Sequence, residues 1–260
     1  MGLIDTHAHL ADKSLFNQLD DVLARAKQAG VSQVICVAVD AETTNQAIEI
    51  AESREAVWAS VGVHPNHAHQ ATAEDWNGIV DRTSHPKVCA LGETGLDRHW
   101  DDCPFELQQA NLERHWELSR KTNLPLIIHM RDCEQEMLAA LGKQAVSGAL
   151  RGVMHSFSGS TETAQQCLEH GLFISFAGML TYKKSEELRK TAKTIPLDRI
   201  LVETDCPYLT PEPNRSRRPN EPSFVVHTAK CLAETLGISG KELAEITTAN
   251  AKRLFWRMSP

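Results

Sequence analysis

The stretch LIDTHAHL, residues 3–10, comes almost at the start of the chain and holds two histidines, His7 and His9, in an apolar strand-like run. Side chains alternate along a strand with a period of two, so both imidazoles point to the same side. Two imidazoles placed in this way can hold one metal ion. The stretch therefore predicts a first strand that carries part of a metal site, with the other ligands supplied by other strands.

The rest of the chain alternates strand-like and helix-like segments. Most strand-like runs are almost continuously apolar, which is typical of a parallel sheet buried on both faces. Amphipathic segments such as 16–30 and 104–123 lie between them and predict helices. The eight predicted strands cover residues 3–10, 33–40, 57–65, 88–97, 124–132, 151–159, 172–179 and 199–209.

Eight such units in 260 residues predict the α/β class, with a (β/α)8 TIM barrel as the architecture. The alternative is a doubly wound open sheet, but no GxGxxG motif follows the first strand. No linker, low-complexity segment or solenoid repeat is present, so we expect one domain over residues 1–260.

Composition excludes several classes of protein. The net charge is −7, which argues against a basic surface that coats nucleic acid without specificity. No run of eighteen apolar residues predicts a membrane span, and no secretory signal is visible, so we expect a cytoplasmic protein. Seven cysteines without a CxxC motif are typical of reduced core thiols.

Polar side chains recur towards the carboxyl-terminal ends of the predicted strands. In a parallel barrel these ends converge on the face that carries active sites. One histidine at such a place, such as His64 or His155, is often a hydrogen-bonded structural residue, but the coincidence over strands one, four, five, six and eight is difficult to explain structurally. The residues are His7 and His9 on the first strand, His64 on the third, Glu93 on the fourth, His129 on the fifth, His155 on the sixth and Asp205 on the eighth.

These residues suit hydrolysis assisted by two metal ions. Glu93 can bridge two ions, and Asp205 can ligate while accepting a proton from an attacking water. No GxSxG motif or activated cysteine indicates a covalent nucleophile instead.

At this point the sequence resembles a known family. The motifs DTHAHL, GVHP, LGETGLD, PLIIHMRD, MHSFSG and LVETDCPYL, in this order, are similar to those of the TatD family of metal-dependent hydrolases, relatives of the amidohydrolase and phosphotriesterase barrels. The resemblance covers the chain from Asp5 to the final helix.

The resemblance implies a role for each matching residue. It makes His7, His9, Glu93, His129, His155 and Asp205 the metal ligands, with Glu93 bridging and catalytic together with Asp205. His64 would contact the scissile phosphate or lie behind the ligands. Three departures concern substrate fit rather than the ligands: Asn66 in place of a second histidine after GVHP, Arg98 in place of an aromatic residue after GLD, and a basic loop that reads RSRRPNEP.

The cofactor expected is a pair of divalent metal ions. Four imidazoles suit Zn, Mn, Fe or Ni better than Mg by ligand softness, whereas the family's nuclease activity is associated with Mg. We therefore expect Mg or Mn to support turnover, and Zn or Ni to be possible as bound ions.

Basic loops follow the last two strands and predict phosphate binding. Loops after strands seven and eight frequently form a phosphate site in this fold. Solvated loop charges are the alternative explanation for either loop alone. The loop residues are Lys183 and Lys184 after strand seven, and Arg215, Arg217 and Arg218 after strand eight.

The family resemblance implies a deoxyribonuclease that acts on single-stranded DNA, from the 3′ end, with RNA as a further substrate and a role in DNA repair or turnover. We expect no membrane association and no obligate protein partner. Two alternatives stay open: a small-molecule or ester hydrolase of the amidohydrolase or phosphotriesterase type, and a non-catalytic binding protein, against which the complete ligand set counts.

Overall fold

The computed structural model describes residues 2–258 and contains one eight-stranded sheet of parallel strands. The strands pair in chain order, β1 to β8, as the sequence predicted for a (β/α)8 barrel. The predicted domain bounds, 1–260, extend beyond the described residues at both ends. The strands are β1 Leu3–Ala8, β2 Val31–Cys36, β3 Val57–Val61, β4 Val88–Asp97, β5 Leu126–Arg131, β6 Gly152–Met154, β7 Phe173–Phe176 and β8 Ile200–Val202.

Ten α-helices accompany these strands within residues 2–258. Their ends follow the expected capping chemistry: Asp40 accepts from Thr43 N at the start of α3, and Asn123 ends α5 in the left-handed conformation. The helices are α1 Lys13–Phe16, α2 Leu19–Gln28, α3 Ala41–Glu52, α4 Ala73–Arg82, α5 Phe105–Thr122, α6 Glu134–Ala145, α7 Thr161–Glu169, α8 Glu186–Ala192, α9 Val225–Leu236 and α10 Gly240–Leu254.

The barrel closes between β1 and the segment that follows β8. Asp205 N donates to His7 O at 2.9 Å, and His9 N donates to Cys206 O at 2.8 Å. β8 itself has only three residues, shorter than predicted, because the chain turns at Asp205 into the left-handed region (φ 55°). Three predicted ligands, Asp205, His7 in β1 and His9 directly after it, are therefore brought together by the closure of the barrel itself.

The barrel has an apolar end and a polar end. Strand residues such as Ile4, Ile127 and Leu201 form one buried cluster with Phe255 and Met258, which come from the segment after α10. A second cluster packs the other strand faces against the surrounding helices. The apolar side chains thus fill the amino-terminal end of the barrel, and the polar side chains are left to the carboxyl-terminal end.

No helix within residues 2–258 has the length and apolar character that crossing a membrane requires.

Candidate metal centre

Glu93 lies at the centre of the polar end, and the local backbone explains how it gets there. The pairing of β4 with β5 shifts between Leu91 and Thr94, so one extra residue of β4 is accommodated at this point. Such a bulge redirects a side chain. Gly92 has a φ of 129°, and a Cβ there would lie 2.6 Å from Ile127 O, so glycine is required. Glu93 is therefore in the middle of β4, and not at its end as the sequence suggested.

One oxygen of the Glu93 carboxylate faces the ligands of the first strand. Glu93 Oε2 lies 3.4 Å from His7 Nε2 and 3.6 Å from His9 Nε2. Asp205 Oδ1 lies 3.6 Å and 3.4 Å from the same two nitrogens, which are 3.2 Å from each other. Two imidazoles and two carboxylates therefore surround one point.

The other oxygen of Glu93 faces a separate set of imidazoles. Glu93 Oε1 lies 2.7 Å from His155 Nε2, 2.8 Å from His129 Nδ1 and 3.6 Å from His64 Nε2. His129 Nδ1 and His155 Nε2 are 3.3 Å apart. The two oxygens of one carboxylate thus face two different ligand sets, which is the arrangement that a carboxylate bridging two cations requires.

The donor atoms fit divalent cations. Three overlapping groups each have ligand atoms within 4.8 Å of one another: His7, Glu93 and His155; His7, His9 and Asp205; His64, Glu93 and His129. Imidazole nitrogens and carboxylate oxygens are ligands for Zn, Mn, Fe and Ni. Glu93 and His7 are almost completely buried, and polar groups buried in this way need partners of this kind.

Electrostatics within the cluster oppose the cost of burial. Burial acts to raise the pKa of Glu93, but the charge of His155 and the hydrogen bond from His129 hold it well below its usual range. Burial acts to lower the pKa of His155, and Glu93 raises it well above its usual range. The metal-free cluster therefore retains protons on imidazole next to an ionised Glu93, and metal binding would displace them.

Two carboxylates behind the ligands were missed in the sequence. Asp97 Oδ2 lies 2.8 Å from His129 Nε2, and Glu203 Oε1 lies 3.3 Å from His155 Nδ1 while accepting from Ser156 N at 2.7 Å. Carboxylates in this position orient ligating imidazoles. Asp97 is separated from Glu93, and Glu203 from Asp205, by an even number of positions, which in a strand places both side chains on the same side. This spacing was the signal available in the sequence.

A cavity of about 920 Å³ opens above the cluster. It is lined by the metal-ligand candidates except His7, and by Trp100 and Tyr208, which are 51% and 57% exposed. Two other aromatic residues near this end of the barrel, Phe157 and Phe176, are buried in the core. Trp100 and Tyr208 are therefore open to a ligand, and Phe157 and Phe176 are not.

The five basic residues predicted to bind phosphate are exposed but are not part of the cavity lining. The guanidinium of Arg215 stacks on Tyr182, with Cζ 3.4 Å from the ring centroid, so the two loops touch. Arg218 donates to Thr210 Oγ1 at 2.5 Å. Arg217 lies over Phe224, and Lys183 and Lys184 lie in the turn before α8.

A parallel (β/α)8 barrel with clustered histidines and carboxylates at the carboxyl ends of its strands defines a class, the metal-dependent hydrolases. The chain matches the sequence profile of one family of that class, described as TatD related DNase, over residues 4–256. The chain belongs to this family, and it is a metal-dependent hydrolase.

Similar proteins cover the whole chain. It is 41% identical to the metal-dependent hydrolase YabD of Bacillus subtilis (strain 168), over 97% of this chain and 98% of the relative. It is 31% identical to the 3′-5′ ssDNA/RNA exonuclease TatD of Citrobacter rodentium, over 97% of each chain. Its fold resembles the crystal structure of YJJV, a TatD homologue from Escherichia coli K12, with a TM-score of 0.91, 29% identity and 97% coverage of each chain.

Proposed function

We propose that this protein is a nuclease that hydrolyses phosphodiester bonds of single-stranded DNA and RNA from the 3′ end, using two divalent metal ions. The observation that carries the proposal is the pair of ligand sets on the two oxygens of Glu93. The exonuclease named TatD from Citrobacter rodentium, 31% identical over nearly the whole chain, supports the substrate class.

His7, His9 and Asp205 would hold one ion and His129 and His155 the other, with Glu93 shared between them. When bound, the two ions would activate a water molecule and polarise the phosphodiester. We propose Mg or Mn for turnover, because catalytic phosphoryl chemistry often uses these ions, and Zn or Ni as ions that the imidazoles can retain.

Asp205 is proposed as the proton acceptor. Its Oδ1 faces His7 and His9, and burial, opposed by the hydrogen bond from His9 and the charge of His7, leaves its pKa below the usual range. The carboxylate is therefore ionised at neutral pH and free to orient a water and take its proton.

His64 is proposed to donate a hydrogen bond to the scissile phosphate. Burial lowers the pKa of His64 to about 3, so the ring is neutral at pH 7. Its Nδ1 accepts from Asn66 N at 3.1 Å, which leaves the ring proton on Nε2, the atom that faces Glu93. A nitrogen that carries a proton is a donor and not a metal ligand. This favours substrate contact over ligation for His64.

The exposed basic residues of the last two loops are proposed as an outer track for the phosphate backbone. They are Lys183, Lys184, Arg215, Arg217 and Arg218. Because they are outside the cavity, their contribution should increase with substrate length and decrease with salt. On the family resemblance we further propose a role in DNA repair or turnover in the cytoplasm.

One observation favours a second candidate, hydrolysis of a small phosphate ester or carboxylic ester. The cavity volume of about 920 Å³ lies within the range of small-ligand pockets. Such a substrate would need no outer track.

The test is a metal add-back series. Protein stripped of metal is incubated with 3′-labelled and 5′-labelled single-stranded DNA, RNA, duplex DNA and a generic phosphodiester, with Mg, Mn, Zn or Ni restored separately. We expect early release of the 3′ label as mononucleotide, lost in His129→Ala and kept in His85→Ala. His85 pairs with Glu52 at the surface, away from the cluster. Turnover of esters without cleavage of any nucleic acid would refute the nuclease proposal.

A further inference from the structure

The cavity carries few positive charges for a site that is to receive a polyanion. Within the described chain its lining has one arginine, Arg131, and no lysine. The same lining has five carboxylates, Asp12, Glu93, Asp97, Asp102 and Asp205. Metal ions offset part of this charge, but a nucleotide whose phosphate lies beside the metals has only one side-chain guanidinium within the cavity to meet it.

Arg131 is placed to reach the cavity and is not engaged elsewhere. It follows His129 by two residues on β5, so the two side chains lie on the same side of the strand. It is exposed, and within residues 2–258 no carboxylate lies within ion-pair distance of it. Arg98 nearby differs, because its Nε lies 2.7 Å from Glu136 and its guanidinium covers Phe105.

Trp100 stands beside Arg131 with an open ring. The guanidinium carbon of Arg131 is 5.8 Å from the ring centroid, and Trp100 lines the cavity and is 51% exposed. An exposed tryptophan at the edge of a polar cavity offers the open ring face that base stacking requires.

The segment that holds Trp100 is fixed to the metal centre by Asp97. Asp97 Oδ1 accepts from His99 N at 2.8 Å and from Trp100 N at 3.2 Å. The second oxygen of the same carboxylate lies 2.8 Å from His129 Nε2. The backbone that carries the aromatic ring is therefore held relative to a metal ligand.

We propose that Arg131 and Trp100 form the nucleotide-recognition pair of this site. Arg131 binds non-bridging oxygens of the phosphate next to the scissile one, and Trp100 stacks on the base of the nucleotide between them. A guanidinium suits phosphate through paired N–H donors. The inference rests on the nuclease function and adds that the enzyme requires an unpaired base at one defined position.

The test compares variants on substrates of two lengths. Arg131→Gln, Trp100→Ala and Trp100→Phe are measured on a dinucleotide bearing a 5′-phosphate and on a twenty-residue single strand, over a series of salt concentrations. Arg151→Gln and Trp256→Ala are matched controls, because Arg151 is exposed before β6 and Trp256 is 41% exposed beyond α10, both at the far end of the barrel. The triple variant Arg215→Gln, Arg217→Gln and Arg218→Gln tests the outer track.

We expect Arg131→Gln to raise KM about tenfold on both lengths and to reduce the slope of log KM against log salt by about 0.7. The triple variant should affect only the long strand. Trp100→Ala should raise KM about fivefold to hundredfold, whereas Trp100→Phe, which keeps a ring, should retain most of the affinity.

A substrate without a base isolates the stacking. An abasic residue at the nucleotide next to the scissile phosphate should slow wild-type protein and leave Trp100→Ala no worse than on the intact strand. Equal losses of activity on the abasic substrate in both proteins, or a dinucleotide KM unchanged in Arg131→Gln, would overturn the proposed recognition by Arg131 and Trp100 while nuclease activity persists. Failure of wild-type protein to cleave any nucleic acid would instead refute the nuclease function itself.

Discussion

Two carboxylates in this barrel are equally buried and behave in opposite ways. Glu93, among the histidines at the carboxyl ends of the strands, has a pKa well below its usual range despite burial. Asp5, one layer lower in β1, has a pKa that burial raises to about 7. Asp5 accepts from Thr204 N at 2.9 Å, Thr204 Oγ1 at 2.6 Å and His7 N at 3.3 Å, all neutral donors.

The difference shows that partners, and not depth, set the charge of a buried acid. Positive charge on the imidazoles around Glu93, that of His155 above all, and the hydrogen bond from His129 together outweigh desolvation. Neutral hydrogen bonds to Asp5 reduce the cost of burial without cancelling it. The upper layer of the barrel, which contains Glu93 and the histidines, is therefore arranged to hold charge and cations. The lower layer, which contains Asp5, supports it structurally.

The largest effect is expected when the charge of the upper layer is removed. Glu93→Gln keeps the size of the side chain but takes away the shared negative charge, so both ligand sets lose a donor. We expect kcat/KM to fall by more than about a hundredfold, beyond the loss typical of residues behind a ligand. Kinetics and metal content by mass spectrometry check this. Glu136→Gln, at a surface pair with Arg98, is the control. Full metal content and activity in Glu93→Gln would contradict the assignment.

A smaller effect is expected one step behind the ligands. Asp97→Asn presents an amide instead of a carboxylate to His129 Nε2, so the imidazole loses its charged acceptor. We expect metal affinity and kcat to fall about tenfold to hundredfold. Calorimetric titration of the metal-free protein with Mn or Zn provides the measurement.

Asp132→Asn is the matched control for Asp97→Asn, because Asp132 makes a similar contact with His99 at the exposed surface. If both variants bind metal as the wild type does, Asp97 has no positioning role.

The sequence allowed the barrel and all six ligand candidates to be predicted because both depend on local pattern. Continuous apolar runs predict buried parallel strands, and polar residues near their carboxyl ends must meet at one face. β4 has the predicted bounds, 88–97, but Glu93 lies in its middle and not at its end, and the bulge at Gly92 turns its side chain inward there.

What the sequence did not predict depends on distances between segments. Arg131 was not singled out because one arginine after a histidine looks like a solvated charge, and only the cavity lining makes it distinctive. The exposed loops after β7 and β8 follow the correct strands, but their conformation carries Arg215 onto Tyr182 and away from the cavity. Loop geometry of this kind is not encoded in spacing or composition.

The smallest effect on activity is expected in the lower layer, where the pKa of Asp5 gives a pH signature. The pKa is about 7 in the folded protein and 3.8 for an ordinary aspartate, so the folded state binds more protons between these values. The free energy of unfolding contributed by Asp5 therefore falls as pH rises, by on the order of 2 kcal/mol from pH 5 to pH 7. Asp5→Asn, which cannot ionise, lacks this fall.

Urea unfolding of the chelator-treated proteins at several pH values measures this pH dependence of the free energy of unfolding, with Asp81→Asn, at an exposed position, as the control. The histidines titrate in all three proteins, so only the difference between them reports on Asp5, and a constant difference from pH 5 to pH 7 would show that the Asp5 carboxyl is not protonated in the fold.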